Sequence, residues 1–240
     1  MLNATRRVCK WQSITQFTGD SYLQSMMGHG LNAKSQSELV DKLVSRGFLQ
    51  LPSPLWVEVI KTVDRADFLP PKSQNMYSNQ PIHISPNHSM STPQFHAQIL
   101  SLLASRLGPG RVAAEIGCGT GYLPACFSVL GCEQVFAVEN NVNLLSDSRK
   151  NLGRYSSVVV SESVPTDATL DAVYISPFVS SFSELEPLIS SWEFSADALV
   201  VAAVRDHIES WDQQLILLER KGRSWDRSDL FRVMCEPLLV

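Results

Sequence analysis

The stretch Ala114-Glu115-Ile116-Gly117-Cys118-Gly119-Thr120-Gly121-Tyr122 sets three glycines between an apolar run and a segment of helical character. Glycines at such a point let a ligand approach the backbone, and the N-terminus of the following helix attracts negative charge. A dinucleotide site has the same strand–loop–helix outline. Its G-x-G-x-x-G fingerprint, however, needs glycine at 122, where this chain has Tyr122, and the third glycine falls at Gly121 instead.

Charge separates the ligands that such a loop serves. Glu115 ends the strand beside the loop. A carboxylate there repels a pyrophosphate but favours the cationic amino group of a methionine moiety, whose own carboxylate the helix N-terminus can hold. The next apolar run, Val135–Val138, ends at Glu139, placed to accept both ribose hydroxyl hydrogens. NAD-binding folds use the same device, so Glu139 indicates a nucleoside without choosing the cofactor. Without a ligand the loop is a capping turn and Glu139 a solvated strand end. Together, Glu115, Gly117, Gly119, Gly121 and Glu139 point to S-adenosyl-L-methionine.

These residues require a particular scaffold. Apolar runs at Val112–Ile116, Gln134–Val138, Ser157–Ser161, Leu170–Ile175 and Ala198–Val204 alternate with helical stretches near 121–130, 141–152 and 182–192. That alternation predicts a parallel sheet covered on both faces. Gln214–Leu218 and Asp229–Val233 read as an antiparallel hairpin at its edge. Upstream, residues 36–48 have helical spacing, with Ser35 or Ser37 as N-cap, and Pro54 opens a second helix. Residues 69–93 hold Pro70, Pro71, Pro81, Pro86 and Pro93, too many breakers for a long regular element, before a helix near 94–106. A loop this long inside a compact domain is usually functional. Residues 1–35 read as an N-terminal extension. Residues 36–240 read as one methyltransferase-like domain, with helices and a substrate loop over 36–110 and a Rossmann-like core over 111–240.

Composition removes other classes. Across 240 residues, 44% are hydrophobic and 18% charged, enough apolar material for a sizeable core. The net charge of −4 argues against a protein whose affinity comes from neutralising phosphates, so no direct nucleic-acid binding is expected. Cys9, Cys118, Cys126, Cys132 and Cys235 form no C-x-x-C pair and no metal-type cluster, as expected for reduced thiols in an intracellular compartment. No run approaches the roughly 18 apolar residues of a membrane span. The first 19 residues carry Arg6, Arg7 and Lys10 and no acid, a composition shared by mitochondrial import segments and ordinary polar tails.

The segment Asp64-Arg65-Ala66-Asp67-Phe68-Leu69-Pro70, followed by Tyr77, Pro81, Ile84 and Ser89-Met90-Ser91-Thr92-Pro93, resembles the protein-L-isoaspartate O-methyltransferase family. The likeness runs from about residue 30 to 176 and includes Ser37-Glu38-Leu39-Val40 and the glycine loop. It implies a Rossmann-like α/β fold, S-adenosylmethionine as cofactor, and methyl transfer to isoaspartyl carboxylates of a protein or peptide substrate. It also implies Ser91 beside cofactor and substrate. Hydroxyls of Ser89 and Ser91 would orient the acceptor, and their alternative role is to cap the helix starting near Pro93. His88 is a substrate-contact candidate, and His96 reads as a helix-face residue.

Several positions depart from the family pattern. Its Gly-Asp-Gly after the third strand reads Ser161-Glu162-Ser163, where Glu162 can still accept from an adenine amino group. Its Asp in the tyrosine-to-proline segment is Asn79, and its small-residue stretch after the fourth strand is Ser176-Pro177-Phe178, expected to reshape the substrate cleft. The amino-methylating N/D-P-P-[FY] tetrapeptide is absent; the chain has Ile175-Ser176-Pro177-Phe178. Two readings remain: a divergent working enzyme, or a non-catalytic methyltransferase-like subunit of a larger protein or ribonucleoprotein assembly.

Overall fold

The computed structural model describes residues 31–49, 54–205, 213–233 and 235. The first 19 residues, with their import-like composition, lie outside these residues. Helix α1 spans Gln36–Ser45, where Ser35 accepts from the Glu38 N–H at 3.3 Å while Glu38 accepts from the Lys34 N–H at 2.8 Å. Two otherwise orphaned donors are thereby satisfied, which settles the cap at Ser35. Helix α2 spans Pro54–Thr62 and α3 spans Pro93–Leu103, capped by Thr92 with Pro93 in the first turn. Between them, the breaker-rich segment forms a small antiparallel hairpin of β1 (Ile82–Ser85) and β2 (His88–Met90).

The core alternates as the pattern requires. Its elements are β3 (Val112–Ile116), α4 (Tyr122–Val129), β4 (Gln134–Val138), α5 (Val142–Leu152), β5 (Val158–Ser161), β6 (Thr169–Val179), α6 (Phe182–Ser190) and β7 (Glu193–Val204). An antiparallel hairpin, β8 (Gln213–Lys221) and β9 (Ser224–Val233), completes a seven-stranded sheet of order β5-β4-β3-β6-β7-β8-β9. Strands β3 to β7 pair in parallel; β8 runs antiparallel to both neighbours.

The central strands β3, β4, β6 and β7 are covered on both faces, so they read as continuous apolar runs. Ala113, Val135, Ala137, Ala172 and Tyr174 meet residues of α1 to α4 on one face. Ala114, Ile116, Phe136, Val138, Val173 and Ile175 meet Leu185 and Ile189 of α6 on the other. Phe127, fully buried on α4, is one anchor of the first face, where truncation to alanine costs about 3–5 kcal/mol. Strand β6 runs past its expected end, because its pairing resumes beyond an irregularity and continues to Val179 opposite Val204, and β7 begins earlier than expected, with Glu193 and Phe194 opposite Thr169 and Leu170. Chain order reverses between β4 and β6 around β3, so the crevice at the carboxyl ends of β3 and β6 is where such a sheet binds ligands.

Candidate active site

A cleft open to solvent occupies that crevice. Glu115 and the glycine loop form its sheet side, His96 and Tyr122 contribute from α3 and α4, and Ser89 and Ser91 line it from the hairpin and the turn after it. The loop is tied at its base, where the Gly117 and Cys118 N–H groups both donate to the Val138 carbonyl at 2.8 and 3.0 Å. Gly117 has φ +75°, and a Cβ there would stand 2.6 Å from the Pro177 ring. No side chain fits. Gly121 differs: its φ is +98°, and a Cβ would meet Leu152 of α5 at 2.6 Å, so this glycine serves helix packing.

Glu115 is 5% exposed, and one of its carboxylate oxygens is buried without a hydrogen-bond partner. Burial, with the negative charge of Glu139 second, holds its carboxyl well above the ordinary carboxylate range. Such an orphaned acceptor on a cleft-lining residue needs a reason.

Glu139 is turned into the loop and is not among the cleft-lining residues. It accepts from the Gly119 N–H and the Asn141 N–H, each at 2.8 Å. Its partners in the structure are thus backbone amides. Two lone pairs on each oxygen leave it capacity for more.

Arg65, 1% exposed, ties the substrate loop to the site. It donates to the carbonyls of Ser78 at 2.6 Å, Gln80 at 3.4 Å and Ser91 at 3.3 Å. Burial lowers its pKa to about 10, which leaves it a cation at neutral pH. Asp64 accepts from Tyr77 at 3.0 Å, and Asn79 pairs reciprocally with Gln94 at 3.0 and 3.2 Å. The latter pair uses a donor and an acceptor on each residue, which gives Asn79 a role that an aspartate cannot fill in the same form.

His96 lies on helix α3, is 7% exposed, stacks on Tyr122 with ring centroids 4.7 Å apart, and lines the cleft. Burial, and secondarily the Arg65 charge, lowers its pKa to about 3, so the ring is neutral; its Nδ1 is buried and unpartnered. His88 instead pairs with Ser85 at 2.8 Å and does not line the cleft, while His83 pairs with Ser89 at 3.0 Å. Glu162 stands exposed in the turn after β5, outside the lining. The structure therefore gathers Ser89, Ser91, Glu115, Gly117 and Gly119 around one cleft, and leaves His88, Gly121, Glu139 and Glu162 around its periphery.

With this geometry in view, comparison with known proteins identifies the lineage. The family model described as protein-L-isoaspartate(D-aspartate) O-methyltransferase matches residues 34–176. The chain belongs to this family. A probable protein-L-isoaspartate O-methyltransferase of Dictyostelium discoideum is 38% identical over 131 residues, covering 53% of this chain and 41% of that protein. Protein-L-isoaspartate O-methyltransferase 1 of Arabidopsis thaliana is 35% identical over 116 residues, 48% of this chain and 49% of its own. The chain spans about half the length of the curated relatives it matches. The fold is similar to a Plasmodium falciparum structure described as a protein-L-isoaspartate O-methyltransferase with bound S-adenosyl-L-homocysteine. That match has a TM-score of 0.71 and 20% identity, covering 86% of this chain and 99% of that one. The isoaspartate methyltransferase pattern thus carries the sheet order, the glycine loop and the Arg65 segment in one chain.

Proposed function

We propose that this member of the protein-L-isoaspartate O-methyltransferase family is an S-adenosylmethionine-dependent carboxyl O-methyltransferase acting on isoaspartyl residues of proteins. One observation carries the cofactor: Glu115 lines the cleft and holds a buried oxygen without a partner, which an amino cation would satisfy. The residues present fit the rest of such a ligand. Neutral His96 can offer Nδ1–H to a carboxylate, and Glu139 has lone pairs left for ribose hydroxyls. Glu162, on the rim, is the acceptor available to an adenine amino group.

S-adenosylmethionine, when bound, supplies a methyl group on a sulfonium, already activated for displacement. The acceptor carboxylate is itself the nucleophile, so the chain needs no strong general base. Its work is alignment and exclusion of water. Ser91, fixed through its carbonyl by Arg65, and Ser89, held by His83, orient the carboxylate with their hydroxyls. His88 meets the peptide outside the cleft.

Calorimetric titration with S-adenosylmethionine, followed by an isoaspartyl-peptide methylation assay, tests this reading. Micromolar binding and methyl ester formation that is lost in Ser91→Ala support it. Binding without ester formation leaves only the cofactor assignment, and absence of both points to the non-catalytic subunit. Residence in mitochondria is a separate proposal resting on the composition of residues 1–19. A reporter fused to residues 1–35 should enter the organelle, and a reporter that stays outside contradicts it.

A further inference from the structure

Strand β6 carries an irregularity at the cleft. Ile175 stands opposite Ala202 of β7, yet Phe178 stands opposite Ala203, so Ser176 and Pro177 are extra residues pushed out of the ladder. Bulges of this kind re-aim side chains next to active sites. The Pro177 ring occupies the space where a Cβ of residue 117 would be, which seats the bulge against the glycine loop. Ser176 then lines the same cleft as Ser89 and Ser91.

The cleft's other polar wall, Glu115, is an acid that does not attract an anion. A carboxylate acceptor must therefore be held by neutral donors.

We infer that Ser176, set on the bulge of β6 beside Ser89 and Ser91, is a third acceptor-binding hydroxyl of this site. The inference rests on the carboxyl-methyltransferase reading above. It makes the two-residue bulge a specificity element rather than a simple narrowing of the cleft.

The test uses the full chain with an isoaspartyl peptide. In Ser176→Ala, KM for the peptide rises about tenfold, the effect of one hydrogen bond to a charged group, while the dissociation constant for S-adenosylmethionine stays within about twofold. An unchanged KM in Ser176→Ala, or a parallel loss of cofactor affinity, overturns the inference. If the unmutated chain forms no methyl ester, the carboxyl-methyltransferase reading fails on its own. Peptide titration of the S-adenosylhomocysteine-loaded protein then decides Ser176: weaker binding in Ser176→Ala upholds its role, and equal or undetectable peptide binding by both proteins overturns it.

Discussion

The Glu139 carboxylate accepts a hydrogen bond from the Gly119 N–H at 2.8 Å, binding the tip of β4 to the glycine loop that leaves β3. Its other oxygen holds the Asn141 N–H at the same distance. One side chain therefore shapes the loop before any ligand arrives. Glu139→Ala leaves both donors without this partner and should cost roughly 1–3 kcal/mol of stability, measured by urea denaturation. Calorimetry on the same variant should show S-adenosylmethionine binding weakened by at least about tenfold, since the loop tie and the proposed sugar contact would be lost together.

Glu115 makes cofactor binding pH-dependent. Its folded pKa is raised, by burial and then by Glu139, so it keeps a proton that an amino cation must displace. Affinity for S-adenosylmethionine should rise with pH until the raised pKa is passed, with proton release seen as a buffer-dependent heat. In the free protein the same shift makes the folded state bind the proton more tightly. The stability contribution is therefore full below the unfolded carboxylate pKa and is lost as pH rises through the folded one. Glu115→Gln should flatten both trends; a pH dependence identical to that of the unmutated chain would remove Glu115 from the cofactor site.

Gly117 and Gly121 should respond differently to a methyl group. Both have positive φ, at +75° and +98°. Gly121→Ala drives its Cβ into Leu152 between two packed helices and should destabilise by about 1–3 kcal/mol in urea melts. Gly117→Ala meets Pro177, which stands on the bulge, and should displace Ser176. Peptide affinity should fall more steeply in Gly117→Ala than in Gly121→Ala.

Removing the Arg65 cation frees three carbonyls at once, one of them that of Ser91. Arg65→Met should lower stability by roughly 2–3 kcal/mol and raise hydrogen exchange in the segment 77–91 selectively. Uniform exchange across the chain would contradict a local tie.

Much of this architecture is legible in the sequence because the central parallel strands are buried on both faces and therefore read as continuous apolar runs between amphipathic stretches. The glycine loop is legible because its spacing and Glu115 are local. What the sequence leaves hidden is long-range. The partners of Asn79 and Glu139 are set by elements that approach only after folding, Gln94 on α3 and the amide of Gly119. His96 looks amphipathic in isolation, and only the stacking of Tyr122 beneath it turns it into a cleft residue. Proline at 81 and 86 masks the β1–β2 hairpin, whose strands are too short for periodicity to show. The β6 bulge is hidden because its register is fixed by β7, some twenty-five residues later. The departure at Ser176-Pro177-Phe178 was its only local trace.

The most direct measurement is methyl transfer from labelled S-adenosylmethionine to an isoaspartyl peptide, with its aspartyl isomer as control. The proposed function predicts base-labile label on the isoaspartyl peptide alone. Purified, folded chain that binds the cofactor yet labels neither peptide would contradict it.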